Sequence, residues 1–179
     1  MRFQFLTVAL AVTGFCTSLS GEAQTPAPAV VNPLDAIPEN MPFDVPYGAP
    51  ISLDRAEVAI AAAVAEAKKH HWKLNVAVVD SGANLVAFQR MDGAIWGSAY
   101  GSQGKAVASA GFGRPSGVMQ ERASQPTPAG INAASGGEMI MGQGAVPLFR
   151  NGVLVGACGV GGGTSQEDED CAAAGAAAL

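Results

Sequence analysis

Asn151-Gly152 stands between two apolar runs, residues 146–150 and 153–160, and this dipeptide decides what kind of sheet the chain can build. Asn-Gly suits a type I′ turn, a two-residue connection whose twist matches antiparallel strands. A second pairing signal lies earlier. An apolar run at 74–79 meets the turn Asp80-Ser81-Gly82-Ala83-Asn84 and returns as a strand at 85–90. Two hairpin connections predict a mainly antiparallel sheet. The order helix, two strands, helices, two or three strands, helix then describes an α+β domain.

The helices have their own signals. Ser52 is a good N-cap, with Asp54 and Glu57 placing acid in the first turn. Leu53, Ala56, Ile60, Ala63, Val64, Ala67 and His71 share one side at 3.6 residues per turn. Lys68, Lys69, His70 and His71 close the helix with basic groups, where its dipole favours them. A second helix is predicted from Ser98 to about Gly113, although Gly97, Gly101 and Gly104 accompany it. Each glycine inside a helix costs about 1 kcal/mol relative to alanine. Close approach by a neighbouring backbone or a flat ligand would compensate. Arg114-Pro115 ends this helix, and the chain to about Ser135 reads as mixed turn and short helix. The glycine-rich stretch 136–144 has room for one short strand. Thr164 and Glu167 form a capping box that opens a last, alanine-rich helix.

The chain has 179 residues, enough for one domain. Ten Lys and Arg against 15 Asp and Glu give a net charge of -5, with no concentrated basic stretch. Nucleic-acid binding therefore has no electrostatic support. An apolar share of 49% excludes a disordered chain. Residues 1–23 read as a secretory signal: Arg2, a short apolar core from Phe3 to Val12, and small residues up to Gly21-Glu22-Ala23. The apolar run is too short to span a bilayer. The mature protein is accordingly expected in the periplasm or secreted, without a membrane span. Pro26, Pro28, Pro33, Pro38, Pro42, Pro46 and Pro50 make 24–50 an extended arm or linker. Residues 51–179 form the domain. In an oxidising compartment Cys158 and Cys171 are a candidate disulfide; the alternative is a pair of small buried apolar residues.

Several local patterns could carry chemistry. Gly159-Val160-Gly161-Gly162-Gly163-Thr164 lacks the Lys of a phosphate loop, and Glu167, Asp168, Glu169 and Asp170 would repel an anion at that helix start. It reads as a tight turn and a capped helix. His70 and His71 are adjacent, so they point to different sides and cannot chelate one metal as an i, i+4 pair could. No third ligand completes a zinc site, and no nucleophile elbow is present. The set with most chemical content is Arg90, Asp92, Lys105 and Arg114. Gly101, Ala108 and Phe112 share the Lys105 side of the second helix, so the lysine has small neighbours one turn on each side and a carboxylate can approach. The plain structural reading is an ion pair of Lys105 with Asp92 and solvent-exposed arginines.

These segments together resemble the HbpS/GlcG-like family, a haem-binding or "haem-degrading" domain also found at the C-terminus of some corrinoid adenosyltransferases. The resemblance covers about 51–179. It is carried by Val76-Ala77-Val78-Val79-Asp80-Ser81-Gly82, Phe88-Gln89-Arg90-Met91-Asp92-Gly93, Gly97-Ser98 with Lys105-Ala106, and Phe112-Gly113-Arg114-Pro115-Ser116. It continues through Gly144-Ala145-Val146-Pro147-Leu148, Gly152-Val153-Leu154-Val155-Gly156-Ala157-Cys158-Gly159-Val160, Gly162-Gly163-Thr164 and the acidic Glu167-Asp168-Glu169. The resemblance implies a profilin-like fold with about five antiparallel strands flanked by helices, a homo-oligomer and a haem ligand. Members commonly carry a branched aliphatic at the positions of Cys158 and Cys171, so a bridge there would be local to this chain. Many have Thr where Ala108 stands.

Haem needs an apolar slot, cations for its propionates and usually a His, Met, Cys or Tyr ligand. Lys105, Arg90 and Arg114 are the candidate cations; His70, His71, Met91 and Tyr100 are the candidate ligands. The expected function is an exported haem- or tetrapyrrole-binding accessory protein. Two alternatives stand beside it. One is an enzyme on a small carboxylated metabolite, with Lys105 or Arg114 holding the carboxylate and Asp92 as acid or base. The other is an oligomeric scaffold clipped by its arm.

Overall fold

A computed structural model describes residues 45–179; the expected signal sequence and the arm up to residue 44 lie outside the described residues. The order is α1 (Leu53–Lys69), β1 (Asn75–Asp80), β2 (Leu85–Arg90), α2 (Ser98–Phe112), a 3-10 helix (Ser116–Arg122), α3 (Pro126–Ala134), β3 (Ala145–Arg150), β4 (Val153–Gly161) and α4 (Ser165–Ala177). The strands form one sheet in the order β2-β1-β4-β3, and every neighbouring pair is antiparallel. Asn151 and Gly152 take φ of 52° and 79°, the left-handed pair that a type I′ hairpin requires.

The sheet has four strands among the described residues rather than about five. Residues 136–144 supply none. Gly136, Gly137 and Gly144 there take φ of 80°, 80° and 126°, which no continuous ladder accommodates. Instead this stretch lies on α2, with the Ile140 N–H donating to the Gly104 carbonyl at 2.9 Å. A Cβ on Gly104 would meet Ile140 at 2.6 Å, so this α2 glycine serves close backbone approach from within the chain. Gly97 and Gly101 face open space.

Strand alternation splits the interior into two cores. Val76, Val78, Cys158 and Val160 face α1 and α4, whose Ala56, Ile60, Ala63, Cys171 and Ala172 complete the larger core. Val79 and Ala157 face the other way, onto Ala106 and Ala110 of α2. Small residues on both sides let α2 lie low on the sheet. A Cβ at Gly159 would collide with the Ser102 carbonyl, and one at Gly161 would stand 2.7 Å from that of Ser98. The end of the arm also docks. Leu154 donates to the Pro46 carbonyl and accepts from the Gly48 N–H, at 2.8 and 2.7 Å. Tyr47 reaches the Ala110 carbonyl at 2.9 Å.

Two local expectations are corrected, and of the two readings of the cysteine pair the buried apolar one holds. Ser52 holds the N-cap position of α1, but its hydroxyl makes no capping hydrogen bond. Leu53 is exposed, and His71 lies past the end of the helix. Cys158 and Cys171 are both free and fully buried, so they pack as small apolar groups in the larger core. Burial pushes each thiol up from 9.0 to about 12, because a thiolate would have no solvation there. The capping box stands as expected: Glu167 N–H donates to Thr164 Oγ1 at 3.3 Å, and Thr164 N–H to Glu167 Oε2 at 2.8 Å.

Candidate functional site

The expected site residues separate into five places. Lys105 points inward. Its Nζ lies 2.7 Å from Asp168 Oδ2 and donates to the Val160 carbonyl at 3.1 Å. The other carboxylate oxygen of Asp168 accepts the Gly163 N–H at 3.0 Å. The side chains are only 13% and 3% exposed, so water screens the pair little. The partner is therefore Asp168, not Asp92. The pair reaches around the end of the sheet and joins α2 on one face to α4 on the other. Of the acidic run that opens α4, one member is thus the counter-ion of the buried lysine.

Arg114 follows the left-handed Gly113 at the end of α2, and its Nε donates to the Phe112 carbonyl at 3.3 Å. Burial, and then the neighbouring Arg122 charge, lower its pKa from the ordinary value. Tyr100 is 69% exposed and lines a cavity of about 490 Å³ between the β1–β2 turn and α2. The walls include Leu85, Val107 and Ile140, and among the described residues the one charged group lining it is Glu138. An acid beside an apolar slot does not suit a ligand with two propionates.

Four of the remaining candidates converge. His71, Arg90, Met91 and Asp92 line a cavity of about 420 Å³ together with Val64, Lys68, Trp72, Lys73 and Gln89. It forms where the end of α1, the start of β1 and the end of β2 meet. The Met91 N–H donates to the Leu74 carbonyl at 3.1 Å and holds the exit of β2 beside the entry of β1. Gly93, at φ 77°, leaves space for the Lys73 side chain, which a Cβ there would meet at 3.0 Å. Lys68, Lys73 and Arg90 thus line the cleft with Asp92. The two histidines part company here. His70 stacks on Trp72, ring centroids 4.3 Å apart, and its Nε2 lies 3.3 Å from Glu66. A hydrogen bond from Lys69 keeps the Glu66 carboxyl below its usual value. His71 instead takes the position after the helix, with its N–H on the Lys68 carbonyl and that of Trp72 on the Ala67 carbonyl.

Lys68, Trp72, Lys73 and Gln89 were not read as site residues from the sequence. The basic cluster at the end of α1 was visible, but dipole compensation accounted for it without a cavity. The cleft fits haem in kind: Val64 and Trp72 give apolar wall, three cations suit propionates, and an imidazole and a thioether are iron ligands. Among the described residues, no group of three or more His, Cys, Asp or Glu could hold a bare metal ion.

A small α+β domain with a cationic, partly apolar cleft beside one imidazole is thus the class of protein defined here. Residues 51–177 match the family described as "Haem degrading protein HbpS-like", and the chain belongs to that family. Protein GlcG of Escherichia coli K12 is 35% identical over 110 residues, 62% of this chain and 80% of GlcG. The crystal structure of HbpS is similar at TM-score 0.66 and 28% identity, covering 76% of this chain and 94% of that one. A doubly substituted Streptomyces reticuli HbpS has the same TM-score and identity, over 80% of this chain and 97% of its own. PduOC, solved as a heme complex, shares the fold at TM-score 0.64 and 24% identity, over 73% and 95% of the two chains.

Proposed function

We propose that this protein is exported to the periplasm or secreted, where it binds haem or a related anionic tetrapyrrole as an accessory protein. The carrying observation is the cleft that brings His71 and Met91 together with Arg90, Lys68 and Lys73. Family membership and the heme named with PduOC support the same ligand class. Bound haem would supply an iron centre, and His71 or Met91 would be the residue to hold it. This chain's own residues do the rest. Arg90, Lys68 and Lys73 attract the propionates, Val64 and Trp72 shield one side of the ring, and Asp92 limits how many anions the cleft accepts.

Lys105 is not needed for this role, because Asp168 already neutralises it. That contact also weakens the metabolite-enzyme alternative, in which Lys105 held a substrate carboxylate. A homo-oligomer remains part of the proposal. Ile95, Trp96 and Tyr100 are 65%, 69% and 69% exposed, an apolar surface suited to burial against another copy. Among the described residues no helix is long and apolar enough to cross a membrane.

Titration of the purified protein with hemin tests the reading. A saturable Soret shift, weakened in Arg90→Ala and unchanged in His70→Ala, is expected. Absence of any shift would remove the cleft as a haem site, and stabilisation by small dicarboxylates alone would favour the metabolite reading.

A further inference from the structure

The haem reading leaves unused the cavity of about 490 Å³ between the β1–β2 turn and α2, which has the volume of a small-molecule pocket. Its floor is apolar and continuous. Ala83 holds φ of 64°, a left-handed conformation that favours glycine, and its methyl group packs with Val107 against the smaller core. Turn and helix therefore share one surface. The rim carries Glu138 on fixed backbone. The Gly137 N–H donates to the Asn132 carbonyl at 2.8 Å, the Met139 N–H to Asn132 Oδ1 at 3.0 Å, and the Ile140 N–H to the Gly104 carbonyl at 2.9 Å. Gly104 leaves room for this approach, since a Cβ there would stand 3.0 Å from the Glu138 carbonyl oxygen. Elsewhere Lys105 answers Asp168 and Lys69 answers Glu66. The Glu138 side chain makes no hydrogen bond or ion pair among the described residues, and no Lys, Arg or His among them lines the cavity. A carboxylate on anchored backbone, with an apolar floor and the Tyr100 ring beside it, complements a cation that carries a hydrocarbon body.

We propose that this cavity is a second ligand site, separate from the cationic cleft, for a small organic ammonium ion with an apolar body. The ammonium group meets Glu138 and the face of Tyr100, while the hydrocarbon lies on Leu85, Val107 and Ile140. The two sites occupy opposite ends of the β1–β2 hairpin, and the charge of a ligand decides which of them it enters. This site does not depend on the haem reading.

The probe is phenethylammonium, set beside the neutral 2-phenylethanol and the anionic 3-phenylpropionate, each titrated into the purified protein by calorimetry at low ionic strength. The wild type should bind the ammonium about fivefold more tightly than the alcohol, the upper range for an ion pair open to water, and the carboxylate least. High salt should shrink that preference. In Glu138→Gln the preference should vanish while alcohol affinity stays as in the wild type. Glu138 is exposed, so this variant should melt with the wild type. Leu85→Ala should weaken the ammonium and the alcohol by a similar factor and keep the preference. Hemin should neither displace the ammonium nor bind differently to Glu138→Gln. No binding of the ammonium, equal ammonium affinity in Glu138→Gln, or displacement by hemin would each overturn the proposal. A changed subunit number in Glu138→Gln with unchanged ammonium binding would assign the carboxylate to a contact between copies and overturn it too. Failure of hemin to bind at all would overturn the haem reading and leave this site standing.

Discussion

Lys105 and Arg90 begin as equivalent candidates, a cation on a helix and a cation at a strand end, yet the fold gives them opposite fates. Lys105 is carried by α2 into the end of the sheet, where Asp168, the Val160 carbonyl and little water receive it. Arg90 ends an edge strand beside Lys68, Lys73 and His71, with Asp92 the one acid lining the cleft among the described residues. A cation whose charge is answered inside the chain holds the chain together. Cations gathered in excess around a hollow are available to a ligand.

The largest effect that would break this contrast is on stability. Asp168→Ala leaves a buried ammonium without its carboxylate and should cost about 3–5 kcal/mol in denaturant unfolding. The double variant Lys105→Met/Asp168→Leu should lose much less, because no uncompensated charge remains. If Asp168→Ala unfolded like the wild type, the pair would have no structural role.

A pH effect comes next. The folded thiol of Cys158 titrates at about 12 and the unfolded one near 9.0. Above pH 9 the unfolded chain releases protons that the folded chain retains, so stability is full below pH 9 and declines from there toward 12. By pH 10 Cys158 alone should remove about 1.4 kcal/mol, and Cys158→Ala should take that share out of the slope, leaving the share of Cys171. Disulfide formation would abolish it, which makes the measurement a check on the free thiols.

Arg90→Ala sharpens the other half of the comparison. Hemin affinity should fall by about tenfold, equivalent to about 1.4 kcal/mol, while stability moves by no more than about 0.5 kcal/mol, as for an exposed position. The smallest effect is expected at the cap. Thr164→Ala should cost about 1 kcal/mol and loosen the first turn of α4, which carries Asp168, without altering hemin binding.

Much of the fold is legible locally. Asn151-Gly152 produces its hairpin, the 3.6-residue apolar spacing produces α1, and Thr164 with Glu167 starts α4, because each depends on groups a few residues apart. The partner of Lys105 is 63 residues away, and only the packing of α2 and α4 around one sheet end brings them together. Arg90, Asp92, Met91 and His71 were all visible as chemistry-bearing residues. Their convergence was not, since it needs β2 to return beside the end of α1. The glycines of α2 drew attention, but the closest helix approach belongs to Gly159 and Gly161 of β4, where a strand pattern conceals the reason for glycine. Residues 136–144 had room for one short strand, and positive φ at Gly136, Gly137 and Gly144 breaks any ladder there.

The central claim is that the ligand's charge is met in the cleft and not at Lys105. Hemin affinity of Lys73→Ala/Arg90→Ala, set beside that of Lys105→Met/Asp168→Leu, tests it most directly. The account predicts a loss of at least about tenfold in the first and wild-type affinity in the second. Wild-type affinity in the first with loss in a folded second variant would contradict it.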